Sequence, residues 1–162
     1  MDFLGVKYII DNGGVKPFDG KPRNINIYNV LAYYVLSEGA GEPACKFEPL
    51  RSSAYGYSDL SWITRPLARL YDGEYDRFMR AALSLGGEFH GISNDGGYAW
   101  VFLILPKILL KAVYYEHDEE FNFELKIFID RHAHRFLEFE CLAFMCGCFV
   151  NALEMAADHN LS

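Results

Sequence analysis

The chain has 162 residues, 51% of them hydrophobic and 16% aromatic, with a formal net charge of -7. That length and apolar content suffice for a single domain, residues 1–162, with a real core, and exclude a disordered chain. The basic residues are scattered, with the closest pairs at Lys21/Arg23 and Arg131/Arg135. An acidic chain without a Lys/Arg cluster lacks the patch that neutralises phosphates, so neither nucleic acid nor an anionic membrane is expected as a partner.

The chain begins Met1-Asp2-Phe3 with no charged n-region and no apolar h-region. No secretory signal is read, and a cytoplasmic location is expected. Cys45, Cys141, Cys146 and Cys148 form no CxxC pair, so no disulfide framework is expected. The apolar run from Cys141 to Leu153 is too short to span a bilayer and reads as a core helix.

Val6 to Ile10, the turn Asp11-Asn12-Gly13-Gly14 and Val15 to Phe18 read as a hairpin, with Pro17 and Pro22 keeping its second strand at an edge. Asn24 or Asn26 caps a helix with Ile27, Leu31, Tyr34 and Val35 on its apolar face and Gly39 at its end. Cys45 to Leu50 reads as a brief strand, and Arg51 to Tyr57 as a loop. Asp59 to Arg69 is helical with a break at Pro66. Asp72 caps a further helix, in which Tyr75, Phe78, Met79, Ala82 and Leu85 share a face and Gly86-Gly87 closes it.

The period then changes from helical to alternating. Glu88 to Ile92, Tyr98 to Leu105, Ile108 to Tyr115 and Phe123 to Ile129 read as strands, and Ser93-Asn94-Asp95-Gly96-Gly97 is a hairpin turn. Phe123, Leu125, Ile127 and Ile129 fall on one face. Glu138 to Asp158 is a long helix, apolar nearly all round between Phe139 and Val150. Such a helix is either buried against the sheet or paired across a homodimer. The fold class is α+β: an antiparallel meander packed by N-terminal and middle helices and by a long C-terminal helix.

Glu116, Asp118, Glu119 and Glu120, with His117 among them, crowd the connection between the last two strands. Clustered carboxylates raise one another's pKa and attract divalent ions, so the run reads either as a metal or acid/base site or as a solvated hairpin tip. His132 and His134, alternating on a strand, share a face and add weak metal-ligand candidates, with Asp130 close by. Cys141, Cys146 and Cys148 on one apolar helix read as small core residues. Neither Gly86-Gly87 nor Gly96-Gly97 has the arrangement of a phosphate loop, and Ser52-Ser53 lacks the GxSxG context of a hydrolase nucleophile.

Several short motifs recur here in a familiar order: Thr64-Arg65-Pro66-Leu67-Ala68, Leu85-Gly86-Gly87, Ile104-Leu105-Pro106, Tyr115 to Phe121, Ile127-Phe128-Ile129-Asp130, then His134, Phe136-Leu137 and Glu140. From Arg51 onward the chain resembles the family of domain of unknown function 3786. Three departures stand out: Tyr115 where relatives often have Trp, Asn122 where Pro is common, and the Arg51 to Tyr57 loop, which fits the pattern poorly. Some relatives carry an iron–sulfur domain beside this one, which implies an accessory role in anaerobic cofactor metabolism. The cysteine spacing here does not reproduce a cluster motif, and no cofactor is named by the sequence. The resemblance also covers Arg65, which could receive one of the acids in an Arg–carboxylate fork. The ligand-binding candidates are therefore Arg65, Glu116, Asp118, Glu119, Glu120 and His134. The expected function is a non-catalytic domain that binds a small molecule or a protein partner. The alternative is a metal-dependent enzyme using Glu116 to Glu120.

Overall fold

The computed structural model describes residues 1–52, 56–58 and 60–159. Near its N-terminal end, β1 (Asp2–Phe3), β2 (Val6–Asp11) and β3 (Gly14–Pro17) form a three-stranded antiparallel sheet. The β2–β3 hairpin is the expected one. Its Gly13 N–H donates to Asp11 Oδ1 at 2.7 Å, and Gly14 takes φ +105°. β1 was not expected. Phe3 pairs with Val6 across a turn in which Leu4 (φ 50°) and Gly5 (φ 76°) are both left-handed, the backbone that suits a two-residue hairpin. Leucine rarely accepts that conformation, so the residue type carries no turn signal.

α1 (Ile25–Leu36) starts as expected, with Asn24 accepting from the Asn26 N–H at 2.9 Å. Val30 and Leu31 are buried, whereas Val35 is 46% exposed and lies off the expected face. The helix ends at Ser37 in extended backbone, not at Gly39. Gly39 is needed for space: a β-carbon there would sit 2.3 Å from the Arg135 carbonyl oxygen and 2.6 Å from Phe136 Cδ1.

β4 (Phe47–Glu48) follows, then β5 (Leu50–Ser52) paired antiparallel with β6 (Gly56–Ser58). The described part of the expected Arg51 to Tyr57 loop is therefore a short hairpin, with residues 53–55 outside the described residues. α2 (Ser61–Thr64), a 3₁₀ turn over Arg65–Leu67 and α3 (Ala68–Tyr71) bear out the break at Pro66, whose missing N–H cannot continue an α-helix. Asp59, where that helix was expected to begin, lies outside the described residues. In α4 (Tyr75–Ser84), Phe78, Ala81 and Ala82 are buried. Glu74 holds the N-cap position without a side-chain bond, and Asp72, expected as the cap, turns elsewhere.

β7 (Gly87–Ile92), β8 (Tyr98–Leu105), β9 (Ile108–Tyr115) and β10 (Glu124–Asp130) form the expected meander, with β4 added beside β10 to give the order β4-β10-β9-β8-β7. The Ser93–Gly97 turn closes with Ser93 N–H donating to the Gly97 carbonyl at 2.7 Å and Gly97 N–H donating to Ser93 Oγ at 3.0 Å. Leu125, Ile127 and Ile129 are buried on one face; Phe123 precedes the strand and sets its ring edge against Tyr114 at 5.2 Å.

α5 (Phe139–His159) packs on α1 and α4 and buries Leu142, Met145, Cys146, Phe149 and Leu153. By length and composition Phe139–Asp158 could cross a bilayer; here its apolar side is the spine of the core. Cys146 and Cys148 are buried, which pushes their thiols up to about 12 and about 11, so they stay protonated as packing residues. Two phenols connect the layers. Tyr114 on β9 donates to the Tyr71 carbonyl at 2.6 Å, and Tyr71 donates to the Leu153 carbonyl at 2.5 Å. Burial pushes the Tyr71 phenol up to about 12, which suits a permanent donor.

Candidate functional site

The strands β9 and β10, joined by a charged tip, create the region to which the sequence points. Glu116, His117, Asp118, Glu119 and Glu120 are all exposed in the β9–β10 connection. Asp118 folds back on its own loop, its Oδ1 accepting from the N–H groups of Glu120 and Phe121 at 2.8 Å and 2.7 Å. Those two bonds hold its carboxyl below the usual carboxylate range. His117 Nδ1 meets Asp72 Oδ1, so the tip is tethered to the α3–α4 connection.

The Asp72 contact raises the His117 pKa above its ordinary value of 6.5. A folded-state pKa raised in this way stabilises the fold fully below that ordinary value, and the contribution fades as pH rises through the folded value. NMR titration should find His117 above 6.5, and Asp72→Asn should bring it down toward the ordinary value. An unchanged titration in Asp72→Asn would show that the pair does not form in solution.

Among the described residues, no acid of the tip forms an ion pair with Arg65. Arg65 instead borders a cleft of about 300 Å³ between the α2–α3 segment and residues 121–125, where the acid lining it is Glu124. His132 and His134 lie on a 3₁₀ turn (Arg131–Arg135), not on a strand, so the face they were expected to share is lost. His132 Nδ1 donates to the Glu42 carbonyl at 2.8 Å, and His134 is exposed. Among the described residues, no three His, Cys, Asp or Glu side chains converge as a metal ion would need.

Asp130 is fully buried at the end of β10. Its Oδ1 accepts from the N–H groups of His132 at 2.8 Å and Ala44 at 3.0 Å, while Oδ2 meets no donor among the described residues. The carboxylate starts the 3₁₀ turn and clasps the segment before β4 onto the sheet. The exposed apolar side chains of α5 are Phe144 at 47% and Met155 at 64%, which are the residues a homodimer through this helix would cover.

A further opening lies away from the acidic tip, the Arg65 cleft and Asp130. An open cavity of about 580 Å³ is lined by the β1–β2 turn, the loop from Asp19 to Arg23, the end of α4 and α5. Phe3 and Tyr8 are buried at 1% and 2% exposure and line it together with Leu4, Val6, Leu85 and Ala156. At its rim Arg23 Nη2 pairs with Asp19 Oδ2 at 2.7 Å, and Arg23 Nη1 donates to the Lys21 carbonyl at 2.9 Å. The Lys21 N–H donates to Asp19 Oδ1 at 3.0 Å, and the Arg23 N–H to the Tyr28 hydroxyl oxygen at 3.0 Å. The rim loop is thus held by its own hydrogen bonds. The bond from the Lys21 backbone and that from Arg23 keep the Asp19 carboxyl below its ordinary value. Burial raises the Tyr8 phenol, against the pull of the neighbouring Arg23 guanidinium. Sequence reasoning missed this cavity because three stretches far apart in the chain, residues 3–27, 84–85 and 148–156, supply its walls. The Lys21/Arg23 pair was the one local signal.

A family model described as domain of unknown function (DUF3786) matches residues 1–152, so the likeness read from Arg51 onward extends through the N-terminal hairpins. No curated protein and no solved structure matches the chain. With the meander, the acidic tip and the buried Asp130 lying inside the matched span, the chain belongs to the DUF3786 family.

Proposed function

We propose that this chain is a non-catalytic, small-molecule-binding domain whose site is the cavity between the N-terminal hairpins and α5. One observation carries the reading: about 580 Å³ of mostly apolar space with charged groups gathered at one rim. Ligand sites of proteins are concave, apolar and about 300–1,000 Å³ in size, with few polar groups to fix orientation. The acidic charge of the chain supports a small molecule over nucleic acid as the partner. A metal-dependent enzyme at Glu116 to Glu120 has no supporting geometry among the described residues, since Asp118 is used by its own turn and His117 by Asp72.

Nile red, a neutral apolar dye, tests the cavity itself. Its fluorescence should rise on mixing with the native chain and fail to rise with Ala152→Trp, which places an indole in the cavity from α5. Circular dichroism checks that the variant remains folded. Equal enhancement by the two folded proteins would move the site elsewhere, and no enhancement by either would remove the proposal.

A further inference from the structure

The rim of the cavity has a sign. Lys21 and Arg23 bring two positive charges and Asp19 one negative, which leaves an excess cation in a chain whose net charge is -7. Among the described residues, Lys21 takes part in no ion pair. Arg23 bonds the carbonyls of Lys21 and Pro22 through Nη1 and Asp19 through Nη2. A guanidinium carries five N–H donors; two go to those carbonyls, one to Asp19 and one toward the Tyr8 hydroxyl, so one remains for a ligand. Its side chain is 20% exposed, which places that donor at the cavity mouth without full hydration. Tyr8, 2% exposed, adds a phenol beside the same guanidinium. Among the described residues, the lining carries no charged side chain beyond Asp19, Lys21 and Arg23, and Leu4, Val6, Leu85, Met155 and Ala156 supply apolar wall. Met155 is flexible enough to follow the shape of what enters.

Resting on the reading of this cavity as the binding site, we infer that its ligand is an amphipathic anion, a carboxylate on an apolar tail. The carboxylate is received by Lys21 and Arg23, and the tail lies along Leu85 and Met155. A bidentate or charge-assisted contact at the rim discriminates against a neutral head group of the same length, while burial of the tail supplies most of the affinity.

Isothermal titration calorimetry on the full chain separates these terms with three probes: decanoate, decanol and Nile red. Decanoate should bind about tenfold more tightly than decanol, as expected when one charge-assisted contact is gained. Lys21→Glu, a change at an exposed loop residue, should remove that preference, read as the ratio of the two affinities; an undiminished ratio would overturn the role of Lys21. Equal affinities for decanoate and decanol would overturn the anion assignment while the cavity stands. Binding of Nile red with neither chain-like probe would overturn the ligand class alone. Binding of none of the three would overturn the class and the site together.

Discussion

Replacing Phe78 by alanine is expected to destabilise the fold by about 3–5 kcal/mol, a large part of the roughly 5–15 kcal/mol that holds a domain together. Phe78 is fully buried on α4. Its ring lies 5.0 Å from that of Tyr114, 5.5 Å from Tyr71 and 6.4 Å from both Tyr75 and Trp100. The T-shaped contacts with Tyr71 and Trp100 place ring edges against ring faces, where the quadrupoles attract. Tyr71 and Tyr114 are themselves fixed by hydrogen bonds to backbone carbonyls, so the surrounding rings are poorly placed to collapse into the space. Urea unfolding with an unchanged m-value would measure the loss. Phe78→Leu should lose much less. A loss below about 1 kcal/mol for Phe78→Ala would mean that the cluster is not packed as described.

Asp130→Ala should destabilise by about 2–4 kcal/mol, because it leaves the N–H groups of Ala44 and His132 without their acceptor in a buried place. Asp130→Asn separates acceptor from charge. Both donors reach the same oxygen, Oδ1, and an amide oxygen can take its place. The asparagine variant should therefore keep most of the stability lost in the alanine variant, measured by the same unfolding curves. If the two variants lose equally, the negative charge itself is required and Oδ2 has a partner in solution.

The meander was legible because the short apolar runs Tyr98 to Leu105 and Ile108 to Tyr115, the alternation from Phe123 to Ile129 and the turn residues Ser93 to Gly97 agree with one another. The Pro66 break was legible for a similarly local reason, a missing donor. What escaped depended on distant partners. Gly39 was read as a helix terminator, but its glycine is required by the Arg135 carbonyl, nearly a hundred residues away. Asp72 looked like a cap and instead meets His117. At the candidate site the acids were correctly placed at a hairpin tip. Which of them the fold would use was hidden, because Asp118 is engaged by backbone donors that have no residue type. The cavity was invisible for the strongest version of the same reason: its floor comes from the N-terminal sheet and its far wall from α5.

The position of α5 in the chain has a consequence for biosynthesis. Every strand and the four shorter helices leave the ribosome before this 21-residue helix does. Until it emerges, Phe102, whose ring will lie 4.8 Å from Phe149, has no covering layer. The nascent chain therefore carries an assembled or half-assembled meander with an open apolar face, a state prone to association with other chains.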